Sequence, residues 1–326
     1  MAPGELKRQK ELVRMQAKYK KIINMLFYHE SWDIMIIKDN GSHTFPTNTL
    51  DILKRTPAQQ LKKKHTFQAD PFIIERDNKV YIFYEALRFR NSKGILRCRI
   101  LDADLAELDD VKLDGFDYLK CHLSFPFVFE SNGQLFMIPE SSERKEVILF
   151  QCVDFPQRWK AINVLISDEA LTDNVFFSLH GACYLLSTTM NNELMIHTAE
   201  SVSGPWQKIT PTLQLSNLHQ RGAGAPHNIG NTLYFLTQEC TPETYGKSIY
   251  IKALVTLNAF SFDEKLIAQV NAAINQSDGV HTLNFTNNYL VYDSKINTFS
   301  FLSILKKISY KCMVKFRNLS LTRRHS

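Results

Sequence analysis

The chain has 326 residues, 44% of them hydrophobic and 22% charged, with a formal net charge of +6. That balance fits a globular protein with a large core and excludes a disordered or fibrous chain. No run of about eighteen uncharged apolar residues occurs, and the first residues lack the apolar core of a secretory leader, so neither a transmembrane helix nor a signal peptide is expected.

Residues 5–27 carry Leu12, Met15, Tyr19, Ile22, Ile23 and Leu26 at helical spacing, with lysines on the opposite face. This predicts a basic amphipathic helix, and residues 1–30 are assigned to it as a segment of their own. Docking on the body and contact with an anionic membrane surface are the two readings of it. Trp32 to Ile37, WDIMII, reads as an early strand that closes a ring. Gly41, Pro46 and Pro57 make residues 38–64 mostly loop, with some helix expected over 58–64.

From His65 onward a hairpin unit recurs roughly every fifty residues. The first, HTFQADPFIIERDNKVYIFYEAL, has Asp70 near the start of one strand, a turn at Asp77-Asn78 and Glu85 near the end of the next strand. The second, HLSFPFVFESNGQLFMIPES, contains His122, Ser124, a turn at Asn132-Gly133 and Glu140. The third begins at Leu171 and contains Asp173, and the fourth runs from Arg221 to Cys240 with Glu239 in the place of Glu140. The fifth, GVHTLNFTNNYLVYDS, contains His281. Repeats of this length with polar inner strands predict an all-β fold, a five-bladed β-propeller over residues 31–298.

Residues 299–316 again place apolar side chains (Phe301, Leu305, Ile308, Cys312) on one helical face among lysines, so residues 299–326 are expected to be a basic amphipathic C-terminal tail. The excess positive charge lies at the two ends. No nucleic-acid-binding motif appears, and the end-loaded charge does not suggest one. The six cysteines include no CxxC pair and several lie in strand-like runs, which favours free thiols in a reducing cytosol over disulfides or a zinc site.

The ADP at 69–71, Asp173, the SGPW at 203–206 and the five-unit spacing resemble the five-bladed propeller glycosidases, including glycoside hydrolase family forty-three. The FxADPF…YxFYE, HLSFPFVFE…MIPES, CVDFPxxW and GVHTLN patterns more closely resemble the N-terminal propeller domain of plant glucosamine inositolphosphorylceramide transferases and its bacterial relatives. The hydrolase resemblance implies a base in blade one, matched by Asp70, a supporting Asp in blade three, matched by Asp173, and an acid Glu in blade four. Here the last position is broken: Gly224-Ala225-Pro226 stands where the acid would precede a small residue and Pro.

Cleavage or transfer at a glycosidic bond needs one carboxylic acid to protonate the leaving oxygen and one carboxylate to activate the attacking group. Glu85, Glu140 and Glu239 are therefore the candidates for a relocated acid beside Asp70 and Asp173, and each also reads as a loop-bonding side chain. Arg221 is the candidate for holding a carboxylate or phosphate of the substrate. Its alternative is an ion pair with Asp173. His281, His122, Arg88 and Ser124 complete the binding candidates. No cofactor is predicted; His281 and Asp70 could ligate a divalent metal, but they are only two ligands.

The leading expectation is transfer of a glycosyl group from an anionic or activated donor, such as a nucleotide-sugar or phospho-sugar, to a glycan or glycolipid during polysaccharide or glycolipid assembly. A cytoplasmic location, peripheral on the inner face of a membrane, accompanies it. The alternatives are a glycoside hydrolase or phosphorylase with a relocated general acid, and a non-catalytic carbohydrate-binding propeller.

Overall fold

The computed structural model describes residues 27–87, 93–213, 219–241, 245–271, 274 and 277–300. Trp32–Arg88 with Lys93–Lys295 forms one compact unit, and the other residues form a second, of which 27–31 and 296–300 are described. In the second unit Ser300 N–H donates to Phe27 O at 2.7 Å, and the Phe299 ring lies 5.4 Å from that of Tyr28.

Strand β1 (Tyr28–Lys38) is followed by helix α1 (Thr49–Arg55) and the short β2 (Gln59–Gln60). Then come β3 (Phe67–Arg76), β4 (Lys79–Leu87), β5 (Gly94–Asp102) and β6 (Glu107–Lys112). The second set is β7 (Ser124–Ser131), β8 (Gln134–Glu140), β9 (Glu146–Asp154) and β10 (Arg158–Ser167). The third is β11 (Leu171–Leu179), β12 (Ala182–Thr189), β13 (Leu194–Ala199) and β14 (Gln207–Ile209). The fourth comprises β15 (Thr212–Leu213), β16 (Arg221–Gly222), β17 (His227–Ile229), β18 (Thr232–Cys240), β19 (Tyr245–Leu257) and β20 (Ser261–Asn271), and the chain returns through β21 (Leu283–Phe285) and β22 (Tyr289–Phe299).

All five expected hairpins form, but they lie in four hydrogen-bonded sheets. Strand β1 is the reason: it sits between β22 and β3, joining last and first sets through the parallel pair Trp32↔Phe67. The inner strands touch in sequence, β3 with β7, β7 with β11, β11 with β16, and β21 with β3. Leu283 N–H donates to Ala223 O at 2.8 Å and completes the circuit. This is a propeller-like arrangement whose inner strands share one axis.

Turn chemistry explains the hairpins. Asp77 and Asn78 both have positive φ, as do Asn132 and Gly133, which suits the two-residue turns that match strand twist. Aromatic side chains from the first three sets, including Phe72, Phe83, Phe127, Phe150 and Trp159, form the largest buried cluster. Each such burial is worth about 1.5–3 kcal/mol.

Two expectations are corrected. Among the described residues neither end shows a basic amphipathic helix: α1 is the one complete α-helix there, and Tyr28 already begins a strand. Phe299, assigned to the C-terminal helix, instead ends β22 and packs on Tyr28. Residues 5–26 and 301–316, which made up most of those predicted helices, lie outside the described residues. The helix expected over 58–64 occurs earlier, at Thr49–Arg55, because Thr56 precedes Pro57 and takes an extended conformation (ψ 125°) that ends it. No helix among the described residues is long and apolar enough to cross a membrane.

Candidate active site

Three inner strands carry the same irregularity. Register slips occur between Ala69 and Phe72, Ser124 and Phe127, and Thr172 and Val175. Asp70, Phe125 and Asp173, at equivalent places in these bulges, have φ of 52°, 44° and 46°. A left-handed conformation at such residues costs about 1–3 kcal/mol each. What it achieves is aim: the bulges turn the Asp70 and Asp173 carboxylates and the Phe125 N–H toward the axis, while the Phe125 ring packs on Phe72 in the core. Phe125 N–H thereby donates to Asp70 Oδ2 at 3.1 Å.

Asp70 is buried, and its Oδ1 also accepts from Thr282 Oγ1 at 3.0 Å and faces His281 Nε2 at 3.4 Å. On the other side of the imidazole, Nδ1 lies 2.5 Å from Asp293 Oδ2. Asp293 is fully buried and accepts from the backbone N–H groups of Asp70, His281 and Thr282 at 3.1, 2.9 and 3.0 Å. Burial alone would lower the His281 pKa, but Asp293 and Asp70 more than reverse it, and the net shift is upward. Trp32 lies under the ring with centroids 4.0 Å apart.

The second half of the site centres on Arg221. Its Nε donates to Asp173 Oδ2 in a close ion pair, and Nη2 lies 3.5 Å from Glu140 Oε2. Gln238 Nε2 donates to Asp173 Oδ2 at 3.0 Å. Glu140 Oε1 accepts from Ser142 Oγ at 2.9 Å. Burial pushes the Asp173 carboxyl up to about 7, with Arg221 opposing and Glu140 adding to the rise. Asp70 is also raised, first by burial, then by Asp173 and Asp293, against the lowering effect of His281.

Glu85, on β4, is raised well above the ordinary carboxylate range. Burial is the main cause, followed by the charges of Asp70, Glu140, Asp173 and Asp293. Its side chain keeps 12% exposure, and His122 Nε2 lies 3.2 Å from Oε1. Acidic groups whose surroundings push their pKa values apart are the pairing that acid–base chemistry requires.

The model for the N-terminal domain of glucosamine inositolphosphorylceramide transferase 1 matches residues 29–304. The chain belongs to this family. It is 29% identical over 210 residues to the glucosamine inositolphosphorylceramide transferases 1 of Oryza sativa subsp. indica and Arabidopsis thaliana. Those matches cover 61% of this chain but 27% of each relative, so the chain spans about a quarter of the curated relatives it matches. Among solved structures, a family-43 β-1,3-galactosidase with galactodeoxynojirimycin superposes with a TM-score of 0.50 at 9% identity, covering 66% of this chain and 83% of that one. This likeness is one of fold.

For this member of the family, the axis brings together Asp70, Glu85, Glu140, Asp173, Arg221 and His281 of the residues singled out in the sequence. His122 reaches the group through Glu85, and buried Ser124 pairs with Glu140 across its hairpin. Arg88 lies outside the described residues. Glu239 is not in the cluster: its Oε2 accepts from Ser248 Oγ at 3.1 Å and Tyr250 OH at 3.2 Å. Gln238 faces the axis instead, one residue away on the alternating strand. The break in unit four also has a steric basis, because a Cβ on Gly224 would lie 2.2 Å from Leu283 O.

Sequence reasoning missed Asp293, Thr282 and Gln238. Asp293 had a signal, since YD in LVYDS stands at the same point of its hairpin as YE in IFYEA. The ligand atoms of Asp70, His281 and Asp293 lie within 4.8 Å of one another and could hold a cation. To do so His281 must first lose the proton that its two carboxylates favour.

The raised carboxyls have a consequence for stability. Asp173 has an ordinary value of 3.8 when unfolded and about 7 when folded, so the folded chain binds the extra proton. Its contribution is fully present below 3.8 and is lost as pH rises through about 7. The span corresponds to about 4 kcal/mol, and raised Asp70 and Glu85 act in the same direction. Urea midpoints should fall between pH 5 and pH 8 in the wild type, and fall less in Asp173→Asn. Equal falls in both proteins would remove Asp173 as a source.

Proposed function

We propose that this domain is a carbohydrate-active enzyme that cleaves a glycosidic bond, with Glu85 as general acid and Asp70 as general base. The observation that carries the proposal is the buried Glu85 carboxyl, raised well above the ordinary range beside the other acids of the axis, in a chain whose unit-four acid position is a glycine with no room for a side chain. Glu85 would give its proton to the leaving oxygen as the bond from the anomeric carbon to that oxygen breaks. Water would attack the anomeric carbon and lose its proton to Asp70. Asp173 and Glu140, held by Arg221, would set the negative field that keeps Glu85 protonated.

Family membership favours a second reading, glycosyl transfer, in which an acceptor hydroxyl takes the place of water at Asp70. Arg221 is a poor handle for an anionic donor in either case, because Asp173 and Glu140 already engage it.

Incubation with a panel of oligosaccharides and aryl glycosides, with and without phosphate or an acceptor alcohol, tests the proposal. Product analysis should find a freed sugar in water, and Asp70→Asn should lower its rate by about 10²-fold or more. Product that forms only with acceptor would favour transfer. Glycan binding with no product from any mixture would reject catalysis.

A further inference from the structure

Gly94 is the first residue of β5, and its N–H donates to His122 Nδ1 at 2.9 Å. An imidazole nitrogen that accepts a hydrogen bond carries no proton, so the ring proton of His122 is on Nε2. That nitrogen lies 3.2 Å from Glu85 Oε1. The contact is packed in place: a Cβ on Gly94 would lie 2.4 Å from Glu85 Oε1, 2.5 Å from Leu123 O and 2.8 Å from His122 Cε1. The backbone N–H of His122 is itself held by Glu143 Oε2 at 3.1 Å.

From this geometry we infer that His122 is a positioning residue for Glu85: a neutral imidazole, locked by Gly94 N–H, donates Nε2–H to Oε1 and leaves Oε2 to carry the transferable proton. The inference rests on Glu85 being the acid and adds what orients it. His122 therefore acts through Glu85 and is not assigned to substrate binding.

The sign of its effect follows from hydrogen bonding. Donation to a carboxyl oxygen favours the ionised form, so His122 restrains the rise that burial and the charges of Asp70, Glu140, Asp173 and Asp293 impose. Removing the donor makes Glu85 a weaker acid. His122→Leu should shift the Glu85 titration upward by about one pH unit. It should also lower turnover more for poor leaving groups than for good ones. His122→Gln, whose Nε2–H reaches a similar place, should keep the wild-type midpoint.

The readout is the protonated-carboxyl infrared band that disappears in Glu85→Gln, followed with pH in each variant. An upward shift in His122→Leu, absent in His122→Gln, supports the positioning role. If His122→Leu does not fold, His122→Asn, whose amide is too short to reach Glu85, is read in its place. Identical midpoints in wild type and the donor-lacking variant overturn the inference. Full activity of Glu85→Gln would instead overturn the acid assignment, whatever the midpoints show.

Discussion

Glu85→Gln should lower kcat/KM on an unactivated glycoside by about 10²–10⁴-fold, the usual span for a positioned acid. Glutamine keeps the shape and still accepts from His122 but has no proton to give. The loss should shrink when the leaving group is a nitrophenolate, which departs without protonation. That difference separates an acid from a residue that merely binds sugar, since loss of binding would affect both substrates alike. Wild-type activity should rise as Asp70 ionises and fall only where Glu85 deprotonates. Both limbs should lie above the ordinary carboxylate range, because both groups are raised.

Asp293→Ala should be the most destabilising single change in the site, at about 3–5 kcal/mol, the usual consequence of removing one partner from a buried ion pair. One fully buried carboxylate serves three backbone N–H groups and the His281 ring. Its loss strands the three backbone donors, that of Asp70 among them, and removes the carboxylate beside the His281 ring. His281 should also lose its raised pKa, because burial then acts against the single remaining carboxylate, Asp70. Urea unfolding measures the first effect and imidazole titration by NMR the second. A drop under about 1 kcal/mol would show that the site reorganises around the gap.

The hairpins were readable because turn pairs such as Asp77-Asn78 and Asn132-Gly133 encode their own geometry locally. Asp70 and Asp173 were readable as inner-strand acids, and Glu85 and Glu140 as strand ends that return to the axis. Glu239 shows the limit. On a strand, a one-residue error exchanges faces, and the irregular pairing near Cys240 has no marker in the sequence. The bulges at Asp70, Phe125 and Asp173 are equally silent, since a phenylalanine with positive φ violates local preference and is held there by tertiary packing.

The sequence left Arg221 open between an anionic substrate and Asp173, 48 residues away. The Arg221–Asp173 ion pair is the reading that forms, while the approach of Glu140, 81 residues away, to the same guanidinium had no sequence signal. Similarly, a basic apolar segment near the C-terminus had helical spacing, but Phe299 belongs to a strand because its partner, Tyr28, lies at the far end of the chain.

The pKa of Glu85 itself is the most direct measurement. Carbon-13 NMR of side-chain-labelled glutamate, with Glu85 assigned by its absence in Glu85→Gln, should give a midpoint well above the ordinary 4.5. A midpoint at or below 4.5 would mean a carboxylate sits there at neutral pH, and the axis would have no acid of the kind proposed.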